Sequence, residues 1–157
     1  MLGTFDAYTL FKFVHVLAAV TWVGGAIAAN IQGTRIKNSG DAGRLAAFSK
    51  DTEWIGMRVY LPASIVVLVF GILTALRGHY SFGSAWLIIG IIGIVATSLT
   101  GSFYFGPEFK KLGPLMEERG IDDPEVKQRT ARLITVARVD IAVLVLVIAD
   151  MVFKPGF

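Results

Sequence analysis

Within an apolar chain, the side chains able to do chemistry stand out by being few. His15 leads them. Neutral imidazole is a ligand for haem iron, copper or zinc, and an ionisable group inside a membrane is costly enough to be read as functional. Trp22 and Gly25 follow His15 at helical spacing on roughly the same face. Met151 offers a thioether that can serve haem or copper, although a methionine in an apolar helix also serves as filler. His79 stands where it can approach a ligand held by His15. Asp150 lies four residues before Lys154, a spacing that predicts an Asp150–Lys154 ion pair at a helix end. Lys12 and His15 lie at a similar depth, so a contact from Asp150 to either of them is the alternative. Equally, His15 can simply be hydrogen-bonded across a helix bundle.

The elements that must position these groups are membrane spans. No charged residue occurs from Ser81 to Phe105 or from Val59 to Leu76. Each run reaches the roughly 18 residues that read as a transmembrane helix. A bilayer offers no water to backbone amides, so such runs are helical unless they close into a barrel. The alternating strands of about ten residues that a barrel requires are missing from the sequence. Four spans are expected, at about 7–29, 58–76, 85–105 and 133–153, in a single all-α domain covering 1–157. The first resembles a signal peptide around Ala26-Ile27-Ala28, but nothing basic precedes Lys12, and Lys12 and His15 interrupt the apolar region a signal needs. A retained helix is expected.

Charge sets the orientation. Twelve of the fifteen Lys and Arg residues lie in the two long links, from Arg35 to Arg58 and from Lys110 to Arg138. By the positive-inside rule both links are cytoplasmic and both termini outside. The expected location is the cell membrane of a bacterial-type cell, as a multi-pass four-helix bundle with the lipid bilayer as its principal partner. The short turn Arg77-Gly78-His79-Tyr80 predicts a tight antiparallel hairpin of spans two and three. Asp41 caps an amphipathic stretch through Phe48 that runs on towards span two. Asp123-Pro124-Glu125 carries the acidic cap and first-turn proline of a helix start. Small residues predict close approach at Gly24, Gly25 and Ala28, and at Gly93, Thr97 and Gly101. Arg58, Arg138 and Asp140 are read as anchors near the cytoplasmic helix ends.

The absences narrow the function. Cysteine is absent, which removes disulfides, thiolate metal sites and cysteine nucleophiles. There is no helix-spaced histidine pair, phosphate-binding glycine loop or nucleophile elbow. The net charge of +3 is accounted for by the links, and no basic stripe points to nucleic acid.

Phe11-Lys12-Phe13-Val14-His15-Val16-Leu17 with Trp22-Val23-Gly24-Gly25 resembles the first helix of the copper-resistance protein D superfamily. That grouping includes the cyanobacterial-type protoporphyrinogen oxidase family. Arg58-Val59-Tyr60-Leu61-Pro62-Ala63 with Gly71 resembles its second helix, and Met151-Val152-Phe153-Lys154-Pro155 is similar to the end of an uncharacterised four-helix branch. The resemblance implies that His15 corresponds to a histidine that binds b-type haem in the oxidase branch, and that Arg58 matches a basic position before the helix-two proline. The chain departs from the oxidase branch in lacking histidines in spans two to four, and from the copper branch in its few outer His and Met residues. A haem-binding redox protein is thus one expectation, with His15 as axial ligand, Met151 or His79 as the second, and Lys12 or Arg77 beside the propionates. A membrane redox partner would follow. The rival expectations are a non-catalytic scaffold or accessory subunit, self-associating through its small-residue faces, and transport of copper or another small solute.

Overall fold

The computed structural model describes residues 6–155. Among them there is no strand, and four continuous helical rods form an integral membrane four-helix bundle. The first rod is α1 (Ala7–Ser39), capped by Asp6, whose carboxylate accepts from the Thr9 N–H at 2.8 Å. The second joins α2 (Ala42–Ile55), a π-helical segment Gly56–Tyr60 and α3 (Leu61–Arg77). The third joins α4 (Ala85–Thr100), a π-helical segment Gly101–Phe105 and α5 (Gly106–Arg119). The fourth is α6 (Pro124–Phe153).

Three of the rods, Ala7–Ser39, Ala42–Arg77 and Ala85–Arg119, are long and apolar enough to cross a membrane. Large apolar side chains are exposed along the outer faces of the bundle, such as Phe13, Val20, Ile92 and Phe103 on these rods and Leu146 and Val152 on α6. A belt of that extent is a lipid contact rather than a water-facing surface. Each rod continues beyond its expected span on the side of the long links. There α2, α5 and the ends of α1 and α6 bury Ile36, Leu45, Leu112, Met116, Val126 and Leu133 in a core of their own. Asp41 and Asp123 cap α2 and α6 as expected, accepting from Arg44 N–H at 2.9 Å and Glu125 N–H at 2.8 Å. Arg129 donates to Glu108 at 2.9 Å and Glu125 at 3.0 Å, joining α5 to α6. Those bonds, to Glu125 first, raise the guanidinium above its already high ordinary value.

The expected hairpin of spans two and three is corrected. The chain does turn between them, but α3 packs mainly on α1 and α4 mainly on α6, and α3 and α4 touch little. Glycines choose the partners, because a bare backbone admits a neighbour's side chain. Gly71 of α3 seats the His15 ring, while Gly90 and Gly93 of α4 seat Met151 and Val147 of α6. Gly25 likewise receives the Tyr60 ring. Two expected close-approach positions, Gly24 and Gly101, meet nothing within 4 Å: Gly24 is exposed on the outer face, and Gly101 borders an internal space.

Candidate functional site

On the turn side of the bundle the side chains expected to do chemistry separate rather than converge. His15 Nδ1 lies 2.8 Å from the Val67 carbonyl oxygen. A carbonyl only accepts, so Nδ1 carries the proton and Nε2 the lone pair. The ring lies flat enough against α3 that a Cβ on Gly71 would stand 3.0 Å from both Nδ1 and Cε1. Met151 is committed to α4, where it fills the notch at Gly90 beside Trp86 and Leu87. His79 is exposed in the turn, with a positive φ of 53°. Lys12 lies 5.8 Å from the Tyr8 ring centroid, and Arg77 is exposed at the end of α3. These contacts tie His15 to α3 through one ring nitrogen. They do not assemble His15 with Met151 or His79 as an axial pair.

Lys154 donates to the Tyr80 hydroxyl at 2.8 Å and lies over the Tyr80 and Trp86 rings, at 4.2 and 5.2 Å from their centroids. That ammonium, and then the Tyr8 hydroxyl, hold the Tyr80 phenol below its ordinary value. The expected Asp150–Lys154 ion pair is replaced by a backbone bond, Lys154 N–H to Asp150 O at 2.8 Å. Lys154 takes a left-handed conformation there, which swings its side chain away from the preceding turn. Asp150 Oδ2 is buried without a hydrogen-bond partner.

The residues that do converge lie on the link side, where the spans pass into their helical extensions. A cavity of about 150 Å³ opens between the rods. Its walls include both π segments, through Gly56, Met57, Tyr60, Gly101, Ser102 and Phe105. The sequence explains why the two segments form. Pro62 and Pro107 each stand six residues after the glycine that begins a π segment. A proline inside a helix offers no N–H and its ring pushes on the carbonyl four residues back. The ladder widens, so that Leu61 N–H reaches Gly56 O and Gly106 N–H reaches Gly101 O, five residues back. Such widened turns are common at functional sites.

The rest of the wall is mostly apolar, with aromatic rings and a minority of polar groups. Trp22 and Asn30 come from α1, Phe48 and Glu53 from α2, Ser64 from α3, and Thr97 and Ser98 from α4. From α6, Thr130, Leu133, Ile134, Ala137 and Asp140 recur at helical spacing on one face. Asp140, expected as a boundary anchor, lines the cavity, whereas Arg58 and Arg138 are exposed and Arg58 lies 5.0 Å from the Trp54 ring centroid. Two signals in the sequence marked this site: the α6 stripe that places Asp140 on the inward face, and the repeated glycine-to-proline spacing.

Among the described residues, no three His, Asp or Glu side chains gather as a metal site. A family model described as a predicted integral membrane protein, DUF2269, matches residues 9–155. No curated protein and no solved structure matches the chain.

Proposed function

Since the chain belongs to the DUF2269 family of integral membrane proteins, we propose that it is a membrane-embedded small-molecule-binding protein whose site is the link-side cavity. One observation carries this reading: both broken helices widen at the same level, and the space between them faces a carboxylate, Asp140, on a membrane helix. Ionisable groups in such positions mark ligand or ion sites, and non-helical backbone at membrane depth is tolerated where it lines a cavity. A volume near 150 Å³ is that of a space admitting one benzene-sized ring. With the links cytoplasmic, the site belongs to the cytoplasmic leaflet.

The test uses a panel of single-ring ligands, namely toluene, benzyl alcohol, benzylamine and benzenesulfonate, added to protein in lipid nanodiscs. Emission of Trp22, on the cavity wall, is the readout. At least one member is expected to bind saturably, and Ala137→Phe, which fills the space, is expected to abolish the signal. If no member gives a response that Ala137→Phe removes, the cavity is not a ligand site.

A second reading is favoured by the His15 tautomer, whose Nε2 lone pair is the one a metal takes when the other nitrogen donates to a carbonyl. On that reading the chain holds b-type haem through His15, and the haem would supply the redox chemistry. Protein from haem-replete cells should then show a Soret band that His15→Ala removes. A colourless preparation overturns it.

A further inference from the structure

We propose that the ligand of this cavity is a small hydrophobic organic cation: a compact apolar body of about one ring bearing an ammonium group. The inference rests on the cavity being a ligand site and adds the sign of the ligand's charge. The charged residues on its wall are Glu53 and Asp140, and no Lys, Arg or His lines it. Neither carboxylate is held in an ion pair by another described residue.

The neutral polar groups point the same way. Five wall hydroxyls already donate their protons to carbonyls of their own helices. Ser49 donates to Leu45 O at 3.0 Å, Thr52 to Phe48 O at 2.7 Å and Ser64 to Leu61 O at 2.8 Å. Thr97 donates to Gly93 O at 3.0 Å, and Ser98 to Ile94 O at 2.7 Å. A hydroxyl whose proton is engaged presents lone pairs to whatever lies beside it. Pro62 and Pro107 each withdraw one N–H from the ladder, which leaves a carbonyl of the preceding turn short of its helical donor. Thr130 is only 5% exposed, yet its Oγ1 has no partner in the fold. A buried polar atom left unpaired is costly; this one lies on the cavity wall and, as donor or acceptor, offers a ligand of either sign a partner.

The apolar part of the wall is suited to the body of such a ligand. Trp22, Phe48, Tyr60, Phe105 and Phe109 all contribute. Aromatic faces attract cations through the ring quadrupole, most strongly where water is excluded. An anion would meet two carboxylates and a surplus of acceptors, and a neutral hydrocarbon would leave both carboxylates without a counter-charge.

The deciding experiment compares benzyltrimethylammonium with neopentylbenzene, its neutral isostere of nearly equal shape, on the unaltered protein in nanodiscs of zwitterionic lipid. Binding is read from tryptophan emission, to which Trp22 on the wall contributes, and confirmed by calorimetry. The cation is expected to bind at least tenfold more tightly than the isostere, and Asp140→Asn to remove most of that difference while leaving the isostere unaffected. Glu53→Gln provides a second variant should Asp140→Asn fail to fold. Equal binding of the two compounds, or preferential binding of benzenesulfonate, overturns the cation inference and leaves the cavity reading standing. If neither compound nor any other single-ring ligand binds, the cavity reading itself fails, and this inference with it.

Discussion

At the turn side of the bundle the helices are seated on one another: the His15 ring on Gly71, Met151 on Gly90 and Val147 on Gly93. At the link side the same rods are held apart, with widened backbone in two of them, a hydroxyl left unpaired on Thr130 and a cavity between. Both ends use glycine to admit a neighbour, as Gly25 and Gly33 admit the Tyr60 and Phe48 rings on the link side, but the link side adds a second use. On the turn side glycine removes a side chain so that a neighbour can enter. On the link side Gly56 and Gly101 begin segments in which a later proline prevents the regular ladder from closing. One end therefore closes helix on helix, while the other keeps a space between the spans and the buried core of Leu112, Met116, Val126 and Leu133. Binding sites are expected in the less tightly constrained part of a fold, and the division places the site away from the turn-side seats at Gly71, Gly90 and Gly93.

The largest effect should come from overfilling the tight end. A side chain at residue 93 collides with Val147, which is 6% exposed and stiff about χ1 because it is β-branched. Gly93→Leu is expected to cost about 2–3 kcal/mol, read as reversible unfolding in mixed micelles. Gly24→Ala meets nothing within 4 Å and should change stability by less than about 1 kcal/mol. If the two variants behave alike, the glycine seats do not hold the bundle.

A smaller effect of opposite sign is expected at the loose end. Pro62→Ala with Pro107→Ala restores an N–H to each ladder and lets the π turns relax towards regular helix. The double variant should be at least as stable as the parent, by up to about 1–3 kcal/mol, and should lose at least tenfold in ligand affinity as the cavity narrows. Loss of stability, or binding that survives intact, would show that the widened turns are not what makes the site.

The membrane spans were legible because the uncharged runs ending at Leu76 and Phe105 leave no other home for their backbone amides. The starts of α2 and α6 were legible for a local reason: Asp41 and Asp123 each satisfy N–H groups within three residues. Helix partners were not. A short connection between spans two and three fixes proximity in sequence only, and the choice of neighbour was made by which glycine faced which side chain. Gly24 and Gly25 are adjacent, yet only Gly25 receives a ring. The chemical site was obscured differently. His15 drew attention by rarity, whereas Asp140 sat among basic residues and read as an interfacial charge. Its meaning depended on the stripe from Thr130 through Ala137 facing the same space as the two widened segments, a three-dimensional coincidence.

The smallest effect probes the tight end from its rim. Lys154 donates to the Tyr80 hydroxyl, and this bond is the main cause that lowers the phenol's pKa below the ordinary value of 10.0, with Tyr8 adding to it. A phenol lowered in the fold contributes stability only where it is ionised: fully above its unfolded pKa, and lost as the pH falls through the folded value. At neutral pH the shift therefore contributes nothing, and Lys154→Met should cost only what its hydrogen bond and ring contacts contribute, about 1 kcal/mol. Its effect should appear in an alkaline titration followed by tyrosinate absorbance near ~295 nm, where the earliest-titrating tyrosine moves towards the ordinary phenol range near ~10. Because the ammonium also rests on the Trp86 ring, the same variant should alter Trp86 emission while leaving binding in the cavity intact. A titration curve indistinguishable from the parent's would mean that Lys154 does not seal this end. A change in cavity binding would mean that the two ends are not independent, and the contrast between them would have to be redrawn as one coupled structure.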